Sequence, residues 1–174
     1  MEPEDATIAI IIDDGYETLE LWYPKLRLEE AGCTVDVVAP DGVTHESAHG
    51  HEARPDLVTE NLRADDYDAV ILPGGLHSAN RLREDDPATE FVAAMADAGK
   101  PVAAVGKAGW ILSSAGVLEG RTIADLGALT DDLINAGAEQ GEDPVTEDDG
   151  LITAPGIEDL PAFMGAALSA LRDA

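Results

Sequence analysis

The chain has 174 residues with 45% hydrophobic content, which predicts one folded domain spanning 1–174 around a sizeable core. Its 36 acidic against 10 basic residues give a net charge of -26, spread along the whole length instead of gathered in a tail. A field of that sign repels nucleic-acid phosphates and anionic membranes, so neither is expected as a partner.

Three of the basic residues are lysines, Lys25, Lys100 and Lys107. A surface rich in carboxylates and poor in lysine suits very high salt, where screening shortens self-repulsion to about 3 Å at 1 M. At low salt the chain is expected to loosen. The amino-terminal stretch MEPEDATIAIII lacks the basic start of a signal peptide, and its apolar run is too short to cross a bilayer, which predicts a cytoplasmic protein. The single cysteine, Cys33, precludes an internal disulfide and reads as a small packed residue.

Residues 7–12, TIAIII, form an apolar run of strand length, and DDGYE after it supplies turn and helix-start chemistry. Leu19, Trp22, Leu26, Leu28 and Ala31 then recur at roughly helical spacing, predicting the buried face of a helix. TVDVVAP restores a strand. Residues 41–66 change character to turn residues, three histidines and several carboxylates, read as a small hairpin and loop inserted in the domain. Strand AVILP (69–73), helix 86–99, strand VAAV (102–105) and a helix through WILSSAG follow. A short helix around DDLINAG, a strand near LITA and a closing helix from Leu160 complete the pattern. Short, uniformly apolar strands between amphipathic helices imply an α/β fold: a mostly parallel central sheet with helices on both faces, three layers in all.

In such a sheet ligands collect at the carboxyl ends of the strands. Three turns meet there: DDGYETLE, PGGLHSAN and GKAG. The Gly74-Gly75 turn offers bare backbone amides suited to holding an anion. Asp13 with Asp14, and Asp131 with Asp132, read as helix-start acids. His45, His49 and His51, flanked by Glu46 and Glu52, are the candidate metal ligands, although a plain hairpin role is preferred for them. No cofactor is expected.

The segments YETLELWYPKLRLEEAG, YDAVILPGG, RLREDDPA, GKPVAAV, SAGVLEGR and DDLINAG occur in this order along nearly the whole chain. Together they resemble the ThiJ/PfpI superfamily, which includes intracellular cysteine proteases, deglycase or glyoxalase-like enzymes and amidotransferase-like proteins. The resemblance implies a flavodoxin-like sandwich, with the class I glutamine amidotransferase arrangement, and a homo-oligomer. In that family the strand matching 102–105 leads into a Cys-His-Gly-Pro turn whose cysteine is the nucleophile. Here Gly106 stands in the cysteine's place, Lys107 in the histidine's, Ala108 in the glycine's and Gly109 in the proline's. The proteases' neighbouring-subunit glutamate falls near Ala79 or Asn80, where no acid stands. The resemblance leaves a remnant pocket of Glu20, matching the glutamate beside the thiol, Gly75, matching an oxyanion-holding amide, and Gly74 with His77.

A displayed nucleophile is held in strained backbone angles that cost on the order of 1–3 kcal/mol, whereas glycine takes them freely. Gly106 therefore keeps the bend without an attacking group. The leading expectation is a catalytically silent homologue with an assembly, structural or ligand-binding role, self-associating into a dimer, a ring or a filament. The alternative is a residual glyoxalase, deglycase or peptidase-like enzyme working through Lys107, Glu20 and the Gly75 amide. Nearby carboxylates are expected to keep Lys107 protonated, which disfavours it as a Schiff-base nucleophile and leaves it a structural role, paired with a carboxylate or a neighbouring subunit. A third reading has the vacated pocket bind a small molecule.

Overall fold

A computed structural model describes residues 1–174. The chain runs β1 (Thr7–Ile11), α1 (Thr18–Glu30), β2 (Thr34–Ala39), β3 (His45–Glu46), β4 (Glu52–Ala53), β5 (Leu57–Val58) and β6 (Ala69–Leu72). It continues with α2 (Leu76–Leu82), α3 (Asp86–Asp97), β7 (Val102–Val105), α4 (Gly109–Ala115) and β8 (Thr122–Ile123). The last elements are α5 (Thr130–Asn135), β9 (Glu139–Gln140), β10 (Thr146–Asp148), β11 (Leu151–Ala154) and α6 (Leu160–Asp173). Seven strands form the central sheet in the order β10-β11-β7-β6-β1-β2-β5, parallel throughout except that β10 runs antiparallel to β11.

Strand alternation divides the core in two. Ala9 and Ile11 of β1 point to one face, into a cluster with Leu82, Phe91, Met95, Ile111 and Leu133 from α2, α3, α4 and α5. Ile8 and Ile10 point to the other, against Leu21 and Leu28 of α1 and Phe163, Met164 and Leu168 of α6. Because both faces are covered, the inner strands are buried at every position and apolar except at Thr153, whose hydroxyl accepts the Ala124 N–H. Truncating a ring as enclosed as Phe163 to alanine costs about 3–5 kcal/mol. This is the three-layer α/β sandwich that the alternation of strands and helices predicts, in the flavodoxin-like form that the resemblance implies.

Several local expectations need correction. PGGLHSAN is not only a turn, because residues 76–82 form α2, whose Ser78, Ala79 and Leu82 are buried. On α1 the inward residues are Glu20, Leu21, Pro24 and Leu28, whereas Leu19 and Leu26 remain 50% and 60% exposed. The helix is rotated from its expected orientation because Leu21 and Leu28, seven positions apart, both enter the α6-side core. Asp13 and Asp14 are not helix-start acids: α1 begins at Thr18, and both lie in the turn before it. Asp131 and Asp132 do occupy the first turn of α5. Within 41–66, β3 and β4 make the expected antiparallel hairpin, but β5 then joins the central sheet as its edge beside β2. Cys33 is buried just before β2, and burial pushes its thiol above the ordinary range.

Candidate functional site

The chain turns outward from β1 to lay down β2 and in the other direction to lay down β6, so β1 and β6 flank the point where strand order reverses. Open α/β sheets place their ligand crevice at such a point, outside the carboxyl ends of the strands. Here the turns after β1, β6, β7 and β11 enclose a cleft of about 260 Å³, lined by Glu17, Glu20, Gly75, Gly106, Lys107 and Pro155 among others. A larger groove of about 410 Å³ lies at the opposite end of the sheet, and its polar lining is Glu147, Asp149, Ser169 and Asp173. Those groups are three carboxylates and one hydroxyl with no cationic side chain opposed to them, so the smaller cleft is the candidate site.

Glu20 projects from the first turn of α1 to the floor of this cleft and is 5% exposed. Its Oε2 accepts the Gly74 N–H at 2.6 Å. Burial raises the Glu20 pKa from an ordinary 4.5 to about 7; the Gly74 hydrogen bond opposes the rise and the Glu17 charge adds to it. Near neutral pH the group is thus divided between carboxylate and carboxylic acid, and in the latter form it is a hydrogen-bond donor.

The two glycines after β6 are dictated by close approach. A β-carbon on Gly74 would lie 2.6 Å from Glu20 Oε2, 2.8 Å from the Val105 carbonyl and 3.0 Å from the Lys107 nitrogen. Gly75 has φ +104°, and a β-carbon there would collide with the Gly15 carbonyl and stand 2.8 Å from the Glu17 nitrogen. The Gly75 N–H makes no hydrogen bond within the chain, so it is a free donor at the cleft.

Gly106 has φ +56°, in the left-handed region that disfavours side chains. A β-carbon built on it would point between the Pro155 carbonyl, at 3.3 Å, and Glu20 Oε1, at 3.5 Å. The turn therefore aims position 106 at Glu20 but supplies no side chain to meet it. Lys107 lines the cleft next to it, yet no carboxylate lies within ion-pair distance of its ammonium. Its Nζ instead sits 6.0 Å from the centre of the Trp110 ring, one helical turn on, and Arg83 approaches the same ring at 5.7 Å. Within the chain, Lys107 thus meets an aromatic face and no carboxylate. Glu17, which also lines the cleft, lies 3.5 Å from His49 Nδ1.

The DJ-1/PfpI family model matches residues 6–170. The chain belongs to the DJ-1/PfpI family. Among its relatives, the deglycase PfpI of Pyrococcus furiosus is 34% identical over 95% of this chain and 99% of its own. An uncharacterized protein of Archaeoglobus fulgidus is 36% identical over 95% and 98%. A solved two-domain protein of Anabaena variabilis, with DJ-1/ThiJ/PfpI-like and ferritin-like domains, superposes with a TM-score of 0.92 at 30% identity, covering 96% of this chain and 48% of that one. Drosophila melanogaster DJ-1beta shares the fold, with a TM-score of 0.87 at 23% identity.

Within this DJ-1/PfpI fold, the sequence-based residues fall into two groups. Glu20, Gly74, Gly75, Gly106 and Lys107 converge as expected. His77 does not line the cleft; it is exposed on α2 with its Cβ packed over Gly15. The three hairpin histidines are not brought together as a ligand set: His45 is 1% exposed, whereas His49 and His51 are on the surface. The residues that converge with His45 are Asp13 and Asp14. Sequence reasoning missed Pro155, although Ala154-Pro155-Gly156 follows an apolar strand and the carboxyl-end rule applies to it equally. No helix is long and apolar enough to cross a membrane.

Proposed function

We propose that this protein is a DJ-1/PfpI-family member without nucleophilic chemistry, which keeps the family's cleft for binding and acts as a self-associating subunit in a high-salt cytoplasm. One observation carries the reading: the backbone at Gly106 retains a left-handed turn directed at Glu20, with no atom there able to attack a carbon. Glu20 is buried behind that position and half-protonated near neutrality, which suits a hydrogen-bonding floor better than a nucleophile. The unspent Gly75 amide and the protonated form of Glu20 are donors at one small cleft that Lys107 also lines. That set favours a small carbonyl or carboxylate compound as ligand.

Self-association is supported by α1, whose Leu19 and Leu26 are one stripe of an outward face with the half-buried Trp22 and Tyr23 between them. The high-salt setting is supported by the net charge of -26.

The second reading, a residual enzyme, draws on Lys107 lining the cleft beside the free Gly75 amide. Turnover of methylglyoxal and of peptides in molar potassium chloride, by the native chain and by Lys107→Ala, separates the two. We expect both to match the uncatalysed rate. A saturable rate in the native protein that the variant loses overturns the proposal.

A further inference from the structure

His45 is enclosed to 1% exposure, yet neither of its ring nitrogens makes an aligned hydrogen bond. Its surroundings are acidic on both sides. Nδ1 faces Asp13 Oδ1 at 3.3 Å and Asp14 Oδ1 at 3.6 Å, and Nε2 faces Asp41 Oδ1 at 3.3 Å. The only positive side chain nearby is Arg81, whose Nη1 lies 3.8 Å from Asp13 Oδ1 and which is itself largely exposed. A buried imidazole among three carboxylates without a satisfied hydrogen bond is costly unless a cation joins them.

We propose that Asp13, Asp14 and His45 form a divalent-metal site of the zinc class, with His45 Nδ1 and one oxygen of each aspartate as protein ligands and a further position open to water. One ligand atom from each of the three residues lies within 4.8 Å of the other two. Zinc bonds of about 2.0–2.2 Å to nitrogen and oxygen set tetrahedral ligand separations of roughly 3.3–3.6 Å. The Nδ1 to Oδ1 separations of 3.3 and 3.6 Å fall in that range without movement.

The outer contacts are also those of a ligand set. Binding an ion through Nδ1 would put the ring proton on Nε2, which lies 3.3 Å from Asp41 Oδ1. Asp13 Oδ1 accepts the Asp14 N–H at 2.6 Å, and Asp14 Oδ1 accepts the Glu46 N–H at 2.9 Å, which fixes the orientation of both carboxylates. The site joins the end of β1 to the β3–β4 hairpin, where Gly15 N–H also donates to Glu46 O and Ala48 N–H to Tyr16 O. A bound ion thereby clamps the hairpin over the turn that leads to Glu20.

The test is calorimetric titration of zinc chloride into the chelator-treated full chain in molar potassium chloride near neutral pH, where salt suppresses diffuse binding to the acidic surface. We expect one ion per chain, with affinity reduced at least about tenfold in His45→Gln and in Asp14→Asn, and by roughly tenfold in Asp41→Asn. Asp14 and Asp41 are substantially exposed, so those variants report even if His45→Gln fails to fold. Cobalt(II) substitution should give visible d–d bands in the native chain that Asp14→Asn weakens. Absence of binding, or many sites with equal affinity in native chain and variants, overturns the proposal: the first leaves His45 as a packing residue of the hairpin, the second leaves only counterions.

Discussion

A β-carbon on Gly106 would stand 3.5 Å from Glu20 Oε1, so the β7–α4 turn and the first turn of α1 remain in register around a side chain that the sequence does not provide. The left-handed angle at position 106 and the buried acid opposite it are separate features, contributed by different elements. Their juxtaposition makes the proposed absence of nucleophilic chemistry testable by supplying a thiol at position 106.

Gly106→Cys is expected to fold and to lose on the order of 1–3 kcal/mol, because a β-carbon must occupy φ +56° and press on the Pro155 carbonyl. Urea denaturation in molar salt measures the loss. Adding Lys107→His restores the family's Cys-His pair and is expected to yield weak methylglyoxal turnover. Unchanged stability would show that the turn is not held in the left-handed region.

Glu20 makes stability fall as pH rises. Below its ordinary pKa of 4.5 the group is protonated in both states; between 4.5 and about 7 the native state keeps a proton that the unfolded state releases, and above that the full penalty persists. The penalty is about 3 kcal/mol. Glu20→Gln, which can still accept the Gly74 N–H, should remove it. The stability difference between variant and native chain should therefore grow from near zero in acid to about 2–3 kcal/mol above neutrality. A pH-independent difference would mean that Glu20 ionises normally.

Gly75→Ala is expected to cost more than about 3 kcal/mol, since it combines backbone strain at φ +104° with collision against the Gly15 carbonyl. Thermal melting of the variant checks this, and a loss below about 1 kcal/mol would show that the β1–α1 turn can retreat.

Salt should stabilise the fold steeply. With 36 acidic against 10 basic residues, self-repulsion is long-ranged in dilute buffer and collapses to roughly 3 Å at 1 M. Circular dichroism melting across a potassium chloride series is expected to show a continuous rise in Tm, and a flat profile would remove the high-salt reading.

The outward stripe on α1 should govern assembly. Leu19→Glu with Leu26→Glu is expected to leave the fold intact, because both residues are exposed, and to shift sedimentation in molar salt toward the monomer. A native chain that already sediments as a monomer would end the assembly proposal.

The sequence by itself determined the layered sheet. Runs such as TIAIII, AVIL, VAAV and LITA are apolar apart from Thr7 and Thr153, a near-continuous pattern that persists only where helices cover both faces. It also determined which turns carry the cleft, since Glu20, Gly75 and Gly106 follow apolar strands and the carboxyl-end rule depends on topology alone. Very short elements were beyond it: β5, β8 and β9 have two residues each, too few for any periodicity to register.

Only the tertiary structure decided how the pieces face one another. Helical spacing on α1 fits either rotation, and the packing of Leu21 and Leu28 against α6 chose the one that buries Glu20 and exposes Leu19. Asp13 and His45 lie on different strands' ends, 32 positions apart in the chain, and the closure of the hairpin over β1 is what brought them to 3.3 Å. Local pattern reflects each element's preference for water or core, whereas a site depends on distances between elements, which are fixed by packing.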